Sequence, residues 1–176
     1  MKSVVSVVAF VAAATCASAE MGSHVFSSID GGSLPLKDWA GKPILVVNTA
    51  SQCAFTGQYD ALQKLYERYE DDGLVVLAVP SDDFSQELDT AEEVKEFCEL
   101  NFALDLPMAD ITSIRGDAAH SFYQDVKAQT GFEPRWNFNK VLIGKDGAVL
   151  ATWGSNVKPL SRQVTKKIEA ALNAAS

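Results

Sequence analysis

The sequence predicts an α/β fold with a mixed central sheet and helices on both faces. Two continuous apolar runs rich in β-branched residues, 43–48 and 74–79, are typical of strands buried on both faces. Between them, the segment 62–69 carries Leu and Tyr side chains at helical spacing. Two later runs, Lys140–Ile143 and Val149–Trp153, flank an Asp-Gly turn signal and predict a hairpin.

The order of these elements restricts the topology. A strand–helix–strand unit requires a parallel pair of strands joined by a right-handed crossover, and the later hairpin adds antiparallel strands. A βαβ unit followed by a ββα unit is the thioredoxin fold, here with additions. The additions are a hairpin around 30–32 and two helices between the units, one opened by a capping box of Thr90 and Glu93 and one capped by Asp117. An amphipathic helix over 164–172 closes the chain.

Length and charge limit the class of protein. The 176 residues, with 47% hydrophobic and 22% charged side chains, fit a globular chain with one domain over 20–176. The net charge of −8 without basic blocks disfavours nucleic acid or an anionic membrane as a partner, because both would repel the chain.

The N-terminal 19 residues differ from the rest. Lys2 precedes an apolar run over 4–14 and an Ala-Ser-Ala cleavage pattern over 17–19, which is the layout of a secretory signal peptide, 1–19. The sequence therefore predicts an exported protein, in the periplasm of a bacterium. A lipoprotein acylated at Cys16 is the alternative. Removal of the peptide leaves Cys53 and Cys98, which in an oxidising compartment form either a structural disulfide or a redox pair.

Cys53 is the candidate nucleophile. It follows the first buried strand and precedes the first long helix, and the carboxyl ends of strands form the functional crevice of an open α/β sheet. A helix N-terminus there favours the thiolate, which is the reactive form. From position alone, a buried cysteine that acts as a small hydrophobe explains this site equally well.

Two motifs give the chain a family resemblance. The stretch 48–56, NTASQCAFT, resembles the nucleophile motif of glutathione peroxidases, and 136–140, WNFNK, resembles their second signature. The segments 97–102 and 116–120 are also similar to the family, in register. The resemblance implies the cysteine-containing, thioredoxin-dependent (2-Cys) branch of the family and a peroxidase activity.

The resemblance also implies site residues. Trp136 and Asn137 would be neutral hydrogen-bond donors in a catalytic tetrad with Cys53. The fourth member is usually a glutamine, but anchoring the motif on Phe84 puts Asp83 at that place. An ionised carboxylate accepts but does not donate, so either Asp83 is protonated or Gln86 reaches the site.

Cys98 stands where the 2-Cys branch has its resolving cysteine. It would condense with a sulfenic acid on Cys53, which requires the helix of Cys98 to open. The alternative is that Cys98 is a core residue and that glutathione resolves Cys53.

The sequence predicts the following partners. A hydroperoxide is the expected substrate, and a thioredoxin-like donor or glutathione is the expected reductant of a monomer or loose dimer. No metal or cofactor is expected, since His24 and His120 show no metal-ligand spacing. A disulfide reductase is disfavoured because Cys53 is not followed by a C-x-x-C partner. A catalytically weak redox sensor or binding protein with a Cys53–Cys98 disulfide remains the alternative function.

Overall fold

A computed structural model describes residues 21–174 of the chain. The predicted signal peptide, 1–19, and Cys16 lie outside these residues. The described part begins with a short 3₁₀ turn and an antiparallel hairpin of β1 (Val25–Ser27) and β2 (Ser33–Pro35), as the sequence predicted. Gly31 and Gly32 both have positive φ angles in the connecting turn.

The central sheet has four strands in the order β4-β3-β5-β6. β3 (Ile44–Thr49) pairs in parallel with β4 (Val75–Pro80), while β5 (Lys140–Ile143) is antiparallel to β3 and to β6 (Val149–Trp153). All residues of β3 and β4 are buried, as their apolar composition predicted. The mixed sheet confirms the predicted α/β class.

Within residues 21–174, four α-helices cover the sheet: α1 (Gln58–Tyr69), α2 (Ala91–Phe102), α3 (Ser121–Thr130) and α4 (Arg162–Asn173). Alternate residues of β3 point to opposite faces. Leu45 and Val47 belong to the core packed by α1, α2 and α4, whereas Ile44 and Val46 belong to the core packed by α3 and β1. In the described range, 21–174, helices are too short or too polar to cross a membrane.

The helix N-termini agree with the sequence at α2 but not at α3. At α2, the Thr90 hydroxyl accepts the Glu93 N–H at 3.2 Å, and the Glu93 carboxylate accepts the Thr90 N–H, which completes the predicted capping box. The predicted cap at Asp117 is wrong. α3 begins later, at Ser121, because His120 caps it by accepting the Phe122 N–H.

Candidate active site

Cys53 lies in the loop between β3 and α1, where the sequence placed it. Two turns shape the loop: the Thr56 N–H donates to the Cys53 carbonyl at 3.1 Å, and the Gln58 N–H donates to the Phe55 carbonyl at 2.8 Å. Within this loop the Cys53 Sγ accepts the Phe55 N–H at 3.5 Å. A backbone donor aimed at the sulfur stabilises a thiolate, which cannot donate in return. The side chain is 4% exposed and is a free thiol.

Asn48, near the end of β3, holds the 136–140 motif beside this loop through hydrogen bonds. Its Nδ2 donates to the Trp136 carbonyl at 3.0 Å, and its Oδ1 accepts the Asn139 N–H at 3.0 Å. Its own carbonyl accepts the Phe138 N–H at 2.6 Å. Phe138 is fully buried with a φ of 60°, so the chain reverses sharply between Asn137 and β5. Motifs that are about 80 residues apart in sequence are therefore joined through one asparagine.

Asn137 is fully buried and pairs with Gln86. The Asn137 Nδ2 donates to the Gln86 Oε1 at 3.2 Å. The Gln86 carbonyl accepts the Gln52 N–H at 2.9 Å, which ties this residue to the loop immediately before Cys53. The structure thus brings Cys53, Asn137 and Gln86 to one corner of the sheet.

Asp83 faces a different part of the molecule. Its carboxylate accepts the Ile114 N–H at 2.6 Å, the Arg115 N–H at 3.0 Å and the Ser113 hydroxyl at 3.1 Å. These three donors suit an ionised carboxylate that orders the loop 113–115. The contacts of Asp83 therefore do not support its interpretation as the glutamine equivalent, whereas the alternative, Gln86, contacts Asn137 and the loop before Cys53.

The turn between the two residues explains this outcome. The Ser85 N–H donates to the Asp82 carbonyl at 2.8 Å, and Ser85 has a φ of 53°. This reversal directs Asp83 towards the loop 113–115 and Gln86 towards Asn137. A serine in the left-handed region gives little sequence signal, which is why alignment on Phe84 does not reveal that Gln86, rather than Asp83, faces Asn137.

Trp136 forms an aromatic rim beside the buried pair. Its side chain is 39% exposed, and its ring lies 5.3 Å from that of Phe84 between centroids. The Arg115 guanidinium lies 5.2 Å from the Phe84 ring. The predicted donor Trp136 therefore borders solvent, unlike Asn137.

Cys98 lies in α2 and is 1% exposed, a free thiol like Cys53. Burial raises the pKa of its thiol to about 12, and the carboxylates of Glu87 and Glu99 act in the same direction, while Tyr59 opposes them. A thiol in this environment is protonated at neutral pH. Cys98 cannot act as a nucleophile until its surroundings change.

Two buried ionisable residues near the site, Glu87 and Lys140, were not predicted from the sequence to have a role. Glu87 accepts the N–H groups of Ser51 and Leu88, and burial raises its pKa. The Lys140 Nζ donates to the Gln58 Oε1 at 2.8 Å and the Phe138 carbonyl at 2.7 Å, and burial lowers its pKa to about 7. Lys140 is the last residue of the 136–140 motif. A charged residue at the start of an apolar strand is the sequence feature that could have identified it. Between residues 21 and 174, no cluster of three or more His, Cys, Asp or Glu side chains could hold a metal ion.

Comparison with known proteins shows which proteins this chain is similar to. A family model described as glutathione peroxidase matches residues 22–127. The chain is 38% identical over 153 residues to the glutathione peroxidase-like peroxiredoxin GPX5 of Chlamydomonas reinhardtii, covering 84% of this chain and 93% of the relative. It is also 38% identical over 144 residues to the hydroperoxy fatty acid reductase gpx1 of Synechocystis sp., covering 76% of this chain and 85% of the relative.

A solved structure shares the fold. The crystal structure of T. cruzi GPX1 superposes with a TM-score of 0.69 at 26% identity, covering 89% of this chain and 99% of that chain. The predicted thioredoxin fold is confirmed by this likeness together with the strand order.

Proposed function

Because the chain belongs to the glutathione peroxidase family, oxidoreductases that act on peroxides, we propose that Cys53 is its peroxide-reducing residue. The observation that carries the proposal is the position of the Cys53 sulfur, which accepts the Phe55 N–H in a strand-to-helix loop. The Asn137–Gln86 pair is tied to the same loop through the Gln52 N–H. A nucleophile and neutral amides therefore occupy one corner of the sheet.

In the first step the Cys53 thiolate attacks the terminal peroxide oxygen. A sulfur–oxygen bond forms, the oxygen–oxygen bond breaks, and an alkoxide, or hydroxide from hydrogen peroxide, leaves and takes up one proton. Cys53 becomes a sulfenic acid. The side-chain amides of Asn137 and Gln86 and the indole of Trp136 are the groups we assign to stabilise the negative charge as it moves to the leaving oxygen.

In the second step Cys98 resolves the sulfenic acid. Its sulfur attacks the Cys53 sulfur, a disulfide forms and water leaves. Cys98 is buried in α2, so this step requires α2 to open locally. A dithiol donor such as a thioredoxin-like protein, or glutathione, then reduces the disulfide and returns both thiols.

Organic hydroperoxides are proposed substrates alongside hydrogen peroxide. A groove of about 500 Å³ borders the nucleophile loop. Its apolar lining comes from Ala54, Phe55, Ala61 and Pro159, and Lys158 also lines it. An apolar groove with one cation fits a hydroperoxide on an acyl chain that bears a carboxylate. The relative named hydroperoxy fatty acid reductase supports this substrate class.

Coupled peroxide consumption tests the assignment of Cys53. The full chain, Cys53→Ser and Cys98→Ser are each assayed with hydrogen peroxide and a thioredoxin system, then with glutathione and its reductase. We expect Cys53→Ser to lose turnover with both donors and Cys98→Ser to lose it with thioredoxin. Mass spectrometry without reductant should detect a Cys53–Cys98 bond after one equivalent of peroxide. A lasting sulfenic acid or glutathione adduct would show that Cys98 is only a core residue. An irreducible Cys53–Cys98 disulfide would favour a structural or binding protein that does not turn over.

Export is a separate proposal that depends on 1–19 alone. The charged start, apolar run and Ala-Ser-Ala pattern support removal of this segment during secretion. N-terminal sequencing of protein recovered outside the cytoplasm should begin at Glu20. Recovery of a chain that still begins at Met1 from the cytoplasm would contradict the proposal.

A further inference from the structure

Buried polar atoms without partners collect between the two cysteines. Of the eight buried side-chain atoms in residues 21–174 that have no hydrogen-bond partner, four belong to this region: Thr49 Oγ1, Ser51 Oγ, Tyr59 OH and Glu87 Oε2. We call these residues the buried polar cluster. Unpaired buried polar groups cost free energy, so their presence in one place is a sign of a role other than stability.

Glu87 is the ionisable member whose geometry suits proton transfer. Its Oε1 accepts the Ser51 N–H at 2.9 Å and the Leu88 N–H at 3.0 Å. Its Oε2 is buried and has no partner among residues 21–174. The carboxyl group can therefore gain or lose a proton on Oε2 while Oε1 keeps it in place. Burial raises the pKa of Glu87, so the group exchanges a proton closer to neutral pH than an exposed glutamate.

Tyr59 links Glu87 with Cys98. Tyr59 packs in the same core cluster as Cys53 and Cys98, and its buried hydroxyl has no hydrogen-bond partner among the described residues. Burial raises the pKa of Tyr59 well above its ordinary value, followed by the influence of Cys98 and, more weakly, of Glu87. Both Glu87 and Tyr59 in turn act on the pKa of Cys98. The buried polar cluster thus extends from Cys98 to Ser51, two residues before Cys53.

Disulfide formation between Cys98 and the Cys53 sulfenic acid needs a group that accepts one proton and donates another. The Cys98 thiol must lose its proton to attack the Cys53 sulfenic acid, and the departing hydroxide must gain one. The reaction is balanced as one thiol and one sulfenic acid giving one disulfide and one water, with no net uptake or release of protons. A single carboxylate that accepts the first proton and delivers the second therefore satisfies the whole step.

We propose that the Glu87 carboxylate accepts the proton of Cys98 through the Tyr59 hydroxyl before α2 opens, and returns it to the departing hydroxide when the disulfide forms. The proposal rests on the proposed role of Cys98 as the resolving cysteine. The other carboxylates near these groups differ from Glu87. Asp82 accepts the Glu87 backbone N–H through Oδ1 at 3.1 Å and is exposed, and Glu99 is exposed beside Lys95.

The variant Glu87→Gln tests the proposal because the amide oxygen can still accept the Ser51 and Leu88 N–H groups, but the side chain cannot take a proton. The oxidation of Cys53 by one equivalent of hydrogen peroxide is followed by stopped-flow fluorescence. Disulfide formation is followed by acid quenching and mass spectrometry. We expect an unchanged oxidation rate and disulfide formation slowed about 100-fold at pH 7.

The pH profile separates a proton acceptor from a structural residue. In Glu87→Gln only solvent can deprotonate Cys98, so disulfide formation should accelerate about tenfold per pH unit from pH 6 to 9. The wild-type rate should fall only at acidic pH, as Glu87 becomes protonated. Glu99→Gln is the matched control, since it removes an exposed carboxylate that also acts on the pKa of Cys98. Both of its rates should stay within about twofold of wild type.

The outcomes separate this inference from the proposed function. If the wild type forms no Cys53–Cys98 bond, the resolving role of Cys98 fails and the inference fails with it. If the bond forms and Glu87→Gln makes it at the wild-type rate, or Glu99→Gln slows it equally, only the inference is overturned. If Glu87→Gln does not fold, Tyr59→Phe decides: a wild-type rate of disulfide formation there overturns the relay.

Discussion

The two cysteines have nearly equal burial but opposite surroundings. Cys53 is 4% exposed and Cys98 is 1% exposed, so solvent exposure does not distinguish them. The Cys53 sulfur accepts a backbone N–H in a loop, next to the loop contact of Gln86. The Cys98 sulfur lies within a helix, and its pKa is raised to about 12. The two thiols therefore differ in their surroundings: a backbone N–H points at the Cys53 sulfur, whereas burial and two carboxylates raise the pKa of Cys98.

Alkylation of the native protein should show the largest difference between the two cysteines. With a pKa of about 12, Cys98 is thiolate in a fraction of about 10⁻⁴ at pH 8, and it is buried as well. Iodoacetamide should therefore modify Cys53 at least about 100-fold faster than Cys98, measured by peptide mass spectrometry. Denatured protein is the control and should show both sites labelled. Equal labelling of the native thiols would remove the basis of the comparison.

Lys140 adds a buried amine to the region around the Cys53 loop, because its Nζ binds Gln58 at the start of α1. Its pKa offers a second test of how the two thiol environments differ. Its pKa of about 7 lies below the value of 10.5 for an exposed lysine. Between these values the unfolded chain binds a proton that the folded chain does not, so stability rises with pH and is lost as pH falls towards 7. From pH 7 to 9 the wild type should gain about 1.4 kcal/mol per pH unit relative to Lys140→Met.

Urea unfolding at several pH values measures this difference. The pH range ends at 9 because above it Cys98 lowers the free energy of unfolding as the pH rises. Its raised pKa means that the thiol loses its proton in the unfolded chain before it does so in the folded chain. Lys145→Met is the control, since its amine binds the Leu172 and Ala174 carbonyls far from Gln58 and should show the wild-type slope. Parallel curves for wild type and Lys140→Met would show that Lys140 keeps its proton when folded.

Substitutions of Gln86 and Asp83 test which of the two side chains supports the oxidation of Cys53. Gln86→Ala removes the partner of the Asn137 amide and should slow Cys53 oxidation about 100-fold, about 2.7 kcal/mol, the range for losing one donor at a developing negative charge. Stopped-flow oxidation with hydrogen peroxide gives the rate.

Asp83→Asn is the matched control for that measurement. It weakens the acceptor of the Ile114 and Arg115 N–H groups and should lower the free energy of unfolding by about 1–3 kcal/mol. It should leave the oxidation rate within about twofold of wild type. A faster reaction in Asp83→Asn than in wild type, as expected if the carboxylate faced Cys53, would restore the interpretation drawn from the sequence.

Local sequence signals sufficed for the strands, the hairpins and the position of Cys53. The apolar runs of β3 and β4 and the capping box of α2 act over a few residues, so pattern alone reveals them. The assignment of Trp136 and Asn137 came from a motif, and the anchoring role of Asn48 became visible only with its contacts to Trp136 and Asn139.

What the sequence could not supply depends on distant partners. α3 begins after His120 rather than at Asp117 because the His120 ring stacks on Phe26 at 4.1 Å and its Nε2 lies 2.9 Å from the Val25 carbonyl, in β1. The choice of Gln86 over Asp83 depends on a left-handed serine. Lys140 can be buried because the Gln58 Oε1, 82 residues away, accepts a hydrogen bond from its Nζ. The contacts of His120 and Lys140 are tertiary contacts that override a local preference, whereas the turn at Ser85 is local but carries no residue signal.

The smallest predicted effect concerns how easily α2 releases Cys98. Thr90→Ala removes the hydroxyl that accepts the Glu93 N–H and should destabilise the start of α2 by about 1 kcal/mol. If disulfide formation requires α2 to open, the open population and the rate of disulfide formation should rise about fivefold, while Cys53 oxidation is unchanged. Ser161→Ala at the N-cap of α4 is the control, because Ser161 makes no capping hydrogen bond there. Faster hydrogen exchange in α2 without faster disulfide formation would mean that Cys98 reaches Cys53 by a motion other than opening from the N-terminus of its helix.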